Sequence, residues 1–138
     1  MNFYPDNQFT IDGATVARGD PGYRPLSRML MDVARRYGRP MIVSETGAEG
    51  TLRAPWLRYV ASECLAAMDA GCELHGITLY PVLNHPGWAD DRPCENGLWD
   101  RADARGARAV HRPLLAEMRR QAPRLVAGRD AVLGRGAP

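Results

Sequence analysis

The sequence predicts an α/β fold in which helices alternate with short parallel strands. Stretches that suit strands alternate with stretches of helical character at residues 1–4, 26–37, 40–45, 55–70, 76–83 and 102–120. Such an alternation requires parallel strands joined by right-handed crossovers. Each strand-to-helix connection is long and each helix-to-strand connection is short, as in (β/α)8 barrels, whose functional face carries the long loops.

The first strand and the first helix are separated by a long loop. Residues 1–4 are β-prone, and a loop begins at Pro5 and extends to about Tyr23. Apolar side chains then recur at helical spacing at Leu26, Leu30, Val33 and Tyr37. Pro25 suits the first turn of this helix and Gly38 suits its C-terminal cap.

The second strand ends on a carboxylate. The run Pro40-Met41-Ile42-Val43 leads into Ser44-Glu45-Thr46-Gly47, which predicts a buried strand with Glu45 at its carboxyl end. In open α/β folds this end is where ligands bind. The residues alone also allow a structural role, in which Glu45 pairs with one of the arginines. A loop from Thr46 to Ala54 leads into a helix that Pro55 opens and Gly71 ends.

The last predicted unit is the least regular. Residues 76–83 form the third strand, with Pro81 near its end, and a loop follows from Asn84 to about Asp100. We expect a helix over residues 102–120 that Pro113 kinks or shortens, and little fixed structure beyond Pro123. The predicted domain therefore covers residues 1–125, and residues 126–138 form a flexible tail.

Composition excludes several classes of function. The 138 residues suit one domain, and a formal net charge of +2 without a polybasic run gives no reason to expect nucleic acid. All 18 basic residues are arginine, so the chain has no lysine for a Schiff base, pyridoxal phosphate or a P-loop. The three cysteines form no CxxC pair, so neither a disulfide framework nor a zinc site is expected. We predict no cofactor.

The chain also lacks the sequence features of a membrane protein. No apolar run approaches the roughly 18 residues of a membrane span, and Met1 is followed by polar Asn2 rather than by a signal peptide. A cytoplasmic location without membrane contact is therefore expected.

Residues 1 to about 100 resemble the C-terminal part of family 1 glycoside hydrolases, the β-glucosidase type of clan A. The matching segments are Asn2-Phe3-Tyr4, Ser44-Glu45-Thr46-Gly47, Arg53 to Gly71 and Gly76 to Leu98. The family has Asn-Tyr-Tyr on strand six, Thr-Glu-Asn-Gly with the nucleophile on strand seven, and Trp-Ser-Leu-Leu-Asp-Asn-Phe-Glu-Trp on strand eight.

The resemblance implies a retaining glycosidase site. Glu45 falls on the catalytic nucleophile, Tyr4 on the tyrosine that hydrogen-bonds to it, and Asn2 on the motif asparagine. Tyr80 replaces the tryptophan on which the sugar rests, and Trp88 matches the closing tryptophan of the motif. Aromatic rings offer flat apolar faces to sugar C–H groups, and a tyrosine hydroxyl that donates to Glu45 would fix its rotamer. The expected ligand is therefore a carbohydrate, bound by Asn2, Tyr80 and Trp88.

Two departures from the family pattern limit this assignment. Gly87 stands where the family has a glutamate that grips the outer hydroxyls of the sugar. The family's acid/base glutamate lies in an Asn-Glu-Pro motif on strand four, and this sequence contains no Asn-Glu pair. Since a full barrel needs at least ~200 residues, the chain is expected to form the last three β/α units, about strands 6–8. Its expected partners are the N-terminal barrel portion or a second copy, because open sheet edges promote association.

Two other functions stay open at this stage. One is a non-catalytic remnant, or a subunit that binds sugar or completes a barrel. The other is a metal-dependent hydrolase using His85, Asp90 and Asp91, although their spacing matches no ligand motif. Among the remaining candidates, Glu49 is expected to be exposed, and Trp56 and Trp99 to be packing residues. Arg53 and Arg58 are expected to anchor the second helix or to pair with nearby carboxylates.

Overall fold

The computed structural model describes residues 1–135. Its helices are α1 (Leu26–Tyr37), α2 (Arg53–Asp69) and α3 (Arg112–Arg135), and its strands are β1 (Met41–Thr46), β2 (Leu74–Leu79), β3 (His85–Pro86) and β4 (Pro93–Cys94). A single 3₁₀ turn, Gly50–Leu52, precedes α2. In the described part of the chain, no helix is both long and apolar enough to cross a membrane.

Strand β1 lies at the centre of a parallel arrangement. It pairs with β2 in parallel, with Val43 opposite Ile77. On its other side a parallel bridge joins Glu45 to Asn2, supported by a 2.9 Å hydrogen bond from Phe3 N–H to the Glu45 carbonyl oxygen. The predicted parallel pairing of residues 1–4, here called the first segment, with β1 and of β1 with β2 is confirmed. Within residues 1–135 these three segments form a partial sheet rather than a closed barrel.

Helices α1 and α2 pack with the sheet around one apolar core. Its fully buried members come from residues 1–4, both helices, both strands and the turn between α2 and β2: Phe3, Leu26, Leu30, Val43, Val60, Cys64, Ala67, Met68, Cys72 and Leu74. The Glu63 carboxylate on α2 accepts hydrogen bonds from the backbone N–H of Ser27, at 2.9 Å, and from its hydroxyl, at 2.6 Å. Because the first N–H groups of a helix have no partner within it, Glu63 fixes the start of α1 against α2.

The final helix differs most from the sequence-based prediction. A helix over residues 102–120 was expected, but α3 begins at Arg112, so Pro113 lies in its first turn, where a missing N–H costs nothing. Pro123 lies inside the helix, which continues to Arg135. The expected tail is therefore corrected for residues 126–135, while residues 136–138 lie outside the described residues.

Contacts with α2 explain why α3 continues past Pro123. The Arg58 guanidinium on α2 donates to the buried Glu117 carboxylate at 2.9 Å. Eighteen residues further along α3, Arg135 donates to the carbonyl oxygen of Met68 at 3.1 Å, near the end of α2. A basic side chain at the C-terminal end of a helix satisfies carbonyl groups that have no intrahelical partner. These two contacts hold the helices side by side along the length of α2.

The third strand is shorter than expected, and the loop after it is more ordered. Strand β2 ends at Leu79, not near residue 83, because Pro81 cannot donate to a ladder. Within the predicted loop, β3 and β4 form a small antiparallel hairpin with His85 opposite Cys94. No sequence pattern predicted this hairpin, because its two-residue strands are too short to show a periodicity.

Candidate active site

A cleft of about 1150 Å³ lies at the carboxyl ends of the parallel segments. Four of the five predicted site residues line it, namely Tyr4, Glu45, Tyr80 and Trp88. The fifth, Asn2, contacts the Glu45 carboxylate from the neighbouring segment. The parallel arrangement brings them together, since the carboxyl ends of parallel strands share one edge of the sheet.

Two side chains from the first segment hold the Glu45 carboxylate. The Asn2 amide donates to Oε2 at 3.0 Å, and the Tyr4 hydroxyl donates to the same oxygen at 3.1 Å. The Asn2 carbonyl oxygen in turn accepts from the Ser44 hydroxyl at 2.7 Å, which orients the amide group. The carboxylate is therefore fixed through one of its two oxygens, as a precisely positioned reacting group requires.

The Tyr4 hydroxyl is a donor over a wide pH range. Burial, together with the hydrogen bond to Glu45 and the charge of Glu45, raises the pKa of Tyr4 to about 12. Deprotonation would place a phenolate beside the carboxylate, which is unfavourable for two like charges. Tyr4 therefore stays protonated and keeps its hydrogen bond to Glu45 at neutral and moderately alkaline pH.

Strand β1 and the residue after β2 approach closely beside Glu45. Tyr80 N–H donates to the Thr46 carbonyl oxygen at 2.9 Å. A Cβ atom at Gly47 would overlap the Tyr80 carbonyl oxygen, so this position accommodates only glycine without a backbone shift. Gly47 thus brings Tyr80 and Glu45 into the same cleft.

Aromatic rings follow one another along the cleft. The ring centroids of Tyr80 and His85 are 6.1 Å apart, and those of His85 and Trp88 are 6.5 Å apart in an edge-on arrangement. Trp88 is 88% exposed, so core packing does not explain its position. Trp99, expected to be a packing residue, is bridged to Leu83 and Val110 and is 38% exposed.

The structure adds an ion pair that sequence reasoning missed. Glu49 is half-exposed, and Arg92 donates to both of its carboxylate oxygens, each at 3.0 Å. The hydrogen bond from Arg92 holds the pKa of Glu49 below its usual value. The two residues are separated by 43 positions, and no local motif connects them. Charge alone could have suggested many partners for either residue.

Arg53, expected to anchor the second helix, is buried in this region. Its Nε donates to the Gly50 carbonyl oxygen and its Nη1 to that of Gly97, both at 2.9 Å. It therefore joins the start of α2 to the long loop after β2.

The residues of the possible metal site have other contacts. The His85 ring nitrogens lie near the Pro86 carbonyl oxygen and, at 3.3 Å, the Asn96 amide nitrogen. An Asp90 oxygen accepts from the backbone N–H of Arg92 at 3.2 Å. Across residues 1–135, no group of three His, Cys, Asp or Glu side chains is placed to hold a metal ion.

Comparison with known proteins identifies the fold. No protein-family model and no curated protein sequence match the chain. Among solved structures, a β-glucosidase from Thermotoga maritima in complex with galacto-hydroximolactam matches 93% of this chain with a TM-score of 0.63 and 18% identity. An aphid myrosinase matches 77% of it with a TM-score of 0.60 and 18% identity. The β-glycosidase from Thermosphaera aggregans matches 98% of it with a TM-score of 0.55 and 19% identity.

These matches cover only part of each solved structure. The chain corresponds to 34%, 28% and 27% of the three proteins, respectively. It therefore spans about a third or less of their length. Another matching structure is described as a family 1 β-glucosidase from Thermotoga maritima. At these identities the similarity establishes the fold, so the chain resembles family 1 β-glucosidases and has the fold of one part of their barrel.

Proposed function

We propose that this chain is the nucleophile-bearing, C-terminal portion of a retaining glycoside hydrolase of the β-glucosidase type. The observation that carries the proposal is the double hydrogen bond from Asn2 and Tyr4 to Oε2 of Glu45, on the wall of the cleft. Within residues 1–135, side chains donate hydrogen bonds to Oε2 of Glu45 but not to its Oε1. Oε1 is therefore the oxygen that attacks the anomeric carbon.

The reaction would form a bond between Glu45 Oε1 and the anomeric carbon while the glycosidic C–O bond breaks. The leaving oxygen needs a proton, which in retaining enzymes comes from a second carboxyl group about 5–5.5 Å away. The family's donor motif is missing from this sequence, so we assign the donor to the remaining strands of the barrel. Water then hydrolyses the glycosyl-enzyme, with that second group acting as the base.

A carbohydrate ligand suits the rest of the cleft. Tyr80 and Trp88 present aromatic faces, on which sugar C–H groups can pack. Thermotoga maritima β-glucosidase has been solved with galacto-hydroximolactam and with glucoimidazole. These complexes support a sugar as the ligand of this cleft.

Covalent labelling in the completed barrel tests the proposal. A 2-fluoro glycoside with a dinitrophenolate leaving group needs no protonation, and its fluorine slows hydrolysis of the intermediate, so peptide mapping should find the sugar on Glu45. Glu45→Ala should abolish turnover, and azide or formate should partly restore it with inversion of configuration. Glu73→Ala is the matched control, because this carboxylate just precedes β2, at the opposite end of the sheet, and pairs with His75.

The labelling experiment also distinguishes catalysis by Glu45 from catalysis by another carboxylate and from a non-catalytic function. A label on Glu49, or undiminished turnover in Glu45→Ala, would show that Glu45 is not the nucleophile. The absence of an Asn-Glu pair favours a second candidate, a subunit that binds sugar or completes a barrel without performing catalysis. That function predicts sugar binding without labelling of any carboxylate in this chain.

A further inference from the structure

Two loops that line the cleft are joined by an ion pair. Glu49 belongs to the loop between β1 and α2, and Arg92 belongs to the hairpin formed by β3 and β4. The two Nη atoms of Arg92 each donate to a different oxygen of Glu49, both at 3.0 Å. This fork geometry fixes the relative orientation of the two groups more strictly than a single contact would.

Backbone hydrogen bonds beside the Glu49–Arg92 ion pair also join the loop before α2 to the hairpin and close the hairpin tip. Gly50 N–H, next to Glu49, donates to the Glu95 carbonyl oxygen at 2.9 Å, just after β4. Gly87 N–H donates to the Arg92 carbonyl oxygen at 2.9 Å and closes the tip of the hairpin. Trp88 lies in this tip and is 88% exposed, so little of its own packing holds it in place. Its position over the cleft depends on the attachment of the hairpin.

The ion pair also affects the net charge of the cleft, because Glu49 neutralises the arginine that lines it. The acidic side chains lining the cleft are Asp6, Glu45, Glu49 and Asp90, and among the described residues Arg92 is the only arginine there. Because both Nη groups of Arg92 already donate to Glu49, its charge is neutralised locally. A phosphate or carboxylate on a sugar would therefore enter a site with excess negative charge, which disfavours it.

We infer that Glu49 and Arg92 form a positioning pair that holds the Trp88 hairpin over the cleft, and that the site selects uncharged sugars over phosphorylated ones. The identity of the ligand rests on the proposed function, whereas the attachment of the hairpin does not. Arg92 is thus a positioning residue, because both of its Nη groups are already bound to Glu49.

The experiment uses the full chain and measures two properties. Hydrogen exchange of the Gly50 amide reports the attachment of the hairpin without any ligand, and exchange of the Gly87 amide reports the closure of the hairpin tip. Calorimetry with glucoimidazole, glucose and glucose 6-phosphate reports binding and charge selectivity. The variants are Glu49→Gln, Arg92→Lys, which keeps the charge but loses the fork, and the exchanged pair Glu49→Arg with Arg92→Glu. Arg129→Ala is the control, since it removes another exposed ion pair, with Asp130 on α3.

Disruption of the pair should loosen the hairpin and weaken the binding of the neutral ligand. In Glu49→Gln we expect both amides to exchange about fivefold faster and the Kd for glucoimidazole to rise about fivefold, the upper range for an exposed ion pair. Arg92→Lys should show a smaller effect, the exchanged pair should recover most of the loss, and Arg129→Ala should behave like the wild type.

Two results would overturn the inference. One is unchanged amide exchange in Glu49→Gln. The other is tighter binding of glucose 6-phosphate than of glucose, with the preference lost in Arg92→Lys, which would make Arg92 an anion-binding residue. If the chain binds no sugar while the exchange rates respond as expected, the selectivity for uncharged sugars is overturned and the attachment of the hairpin by Glu49 and Arg92 is supported. The proposed function is judged separately, by labelling of Glu45 in the completed barrel.

Discussion

The indole N–H of Trp56 donates to the Thr46 hydroxyl at 2.9 Å, and this hydroxyl donates to the Phe3 carbonyl oxygen at 2.7 Å. Thr46 is fully buried and follows Glu45 directly. The rings of Phe3 and Trp56 stack with their centroids 5.4 Å apart. The Thr46 hydroxyl therefore joins α2, β1 and the first segment at the position next to the candidate nucleophile, Glu45.

Replacement of Thr46 by valine should destabilise the protein. The change keeps the shape of the side chain but leaves the Trp56 N–H and the Phe3 carbonyl group without their partner. An unsatisfied buried polar group costs about 1–3 kcal/mol, so we expect a loss of about that size in the free energy of unfolding, measured by urea denaturation. Thr78→Val on β2 is the control, because Thr78 is exposed. Equal urea midpoints for the two variants would contradict the role of the Thr46 hydroxyl.

Alanine at Gly47 should disrupt the site and the fold together. Its Cβ atom would overlap the backbone of Tyr80, which cannot move without shifting the end of β2. We expect a loss of at least about 2 kcal/mol in the free energy of unfolding, measured by thermal denaturation. Gly76→Ala is a matched control within β2, since a Cβ atom there has no neighbour within 4 Å. A Gly47 variant as stable as the Gly76 variant would show that β1 and Tyr80 can separate freely.

Phenylalanine at Tyr4 should slow the reaction of Glu45 with an activated glycoside. Without the Tyr4 hydroxyl, Glu45 is no longer held in one orientation toward the anomeric carbon, so labelling should slow by about tenfold or more. Because the pKa of Tyr4 is about 12, the ratio of the wild-type rate to the variant rate should stay constant from about pH 6 to 10. Tyr37→Phe is the control, since Tyr37 is exposed at the end of α1. A ratio that falls with rising pH in this range would contradict a protonated Tyr4.

The buried Glu117 should make stability depend on acidic pH. Hydrogen bonds from Arg58, and then from Gln121, lower the pKa of Glu117 below its usual 4.5. The folded state therefore favours the ionised form, and this contribution is present above the usual pKa and is lost as pH falls through the folded value. The urea midpoint of the wild type should exceed that of Glu117→Gln at pH 7, and the difference should shrink as the pH falls below 4.5. Asp130→Asn, exposed on the same helix, should change the midpoint little at either pH.

The sequence predicted the parallel arrangement and the clustering of Tyr4, Glu45 and Tyr80 at one end of it, because both depend on local signals. The run ending at Glu45 and the glycine after it mark the carboxyl end of a strand, and the alternation of elements requires parallel pairing. The contact between Tyr4 and Glu45 followed from the family resemblance together with this topology. Pairing over long sequence separations could not be predicted in the same way. The Glu49–Arg92 pair and the continuation of α3 beyond Pro123 depend on tertiary partners that no periodicity reveals.

The alignment of α3 along α2 also affects how the chain would respond to a protease. Residues 101–109 form an exposed connection that contains three arginines, Arg101, Arg105 and Arg108, and therefore several trypsin sites. Cleavage there would separate α3 from the rest of the backbone but would leave the Arg58–Glu117 and Arg135–Met68 contacts intact. The two fragments should co-elute in gel filtration and come apart only in denaturant. Helix α3 would then stay bound to α2 by noncovalent contacts alone.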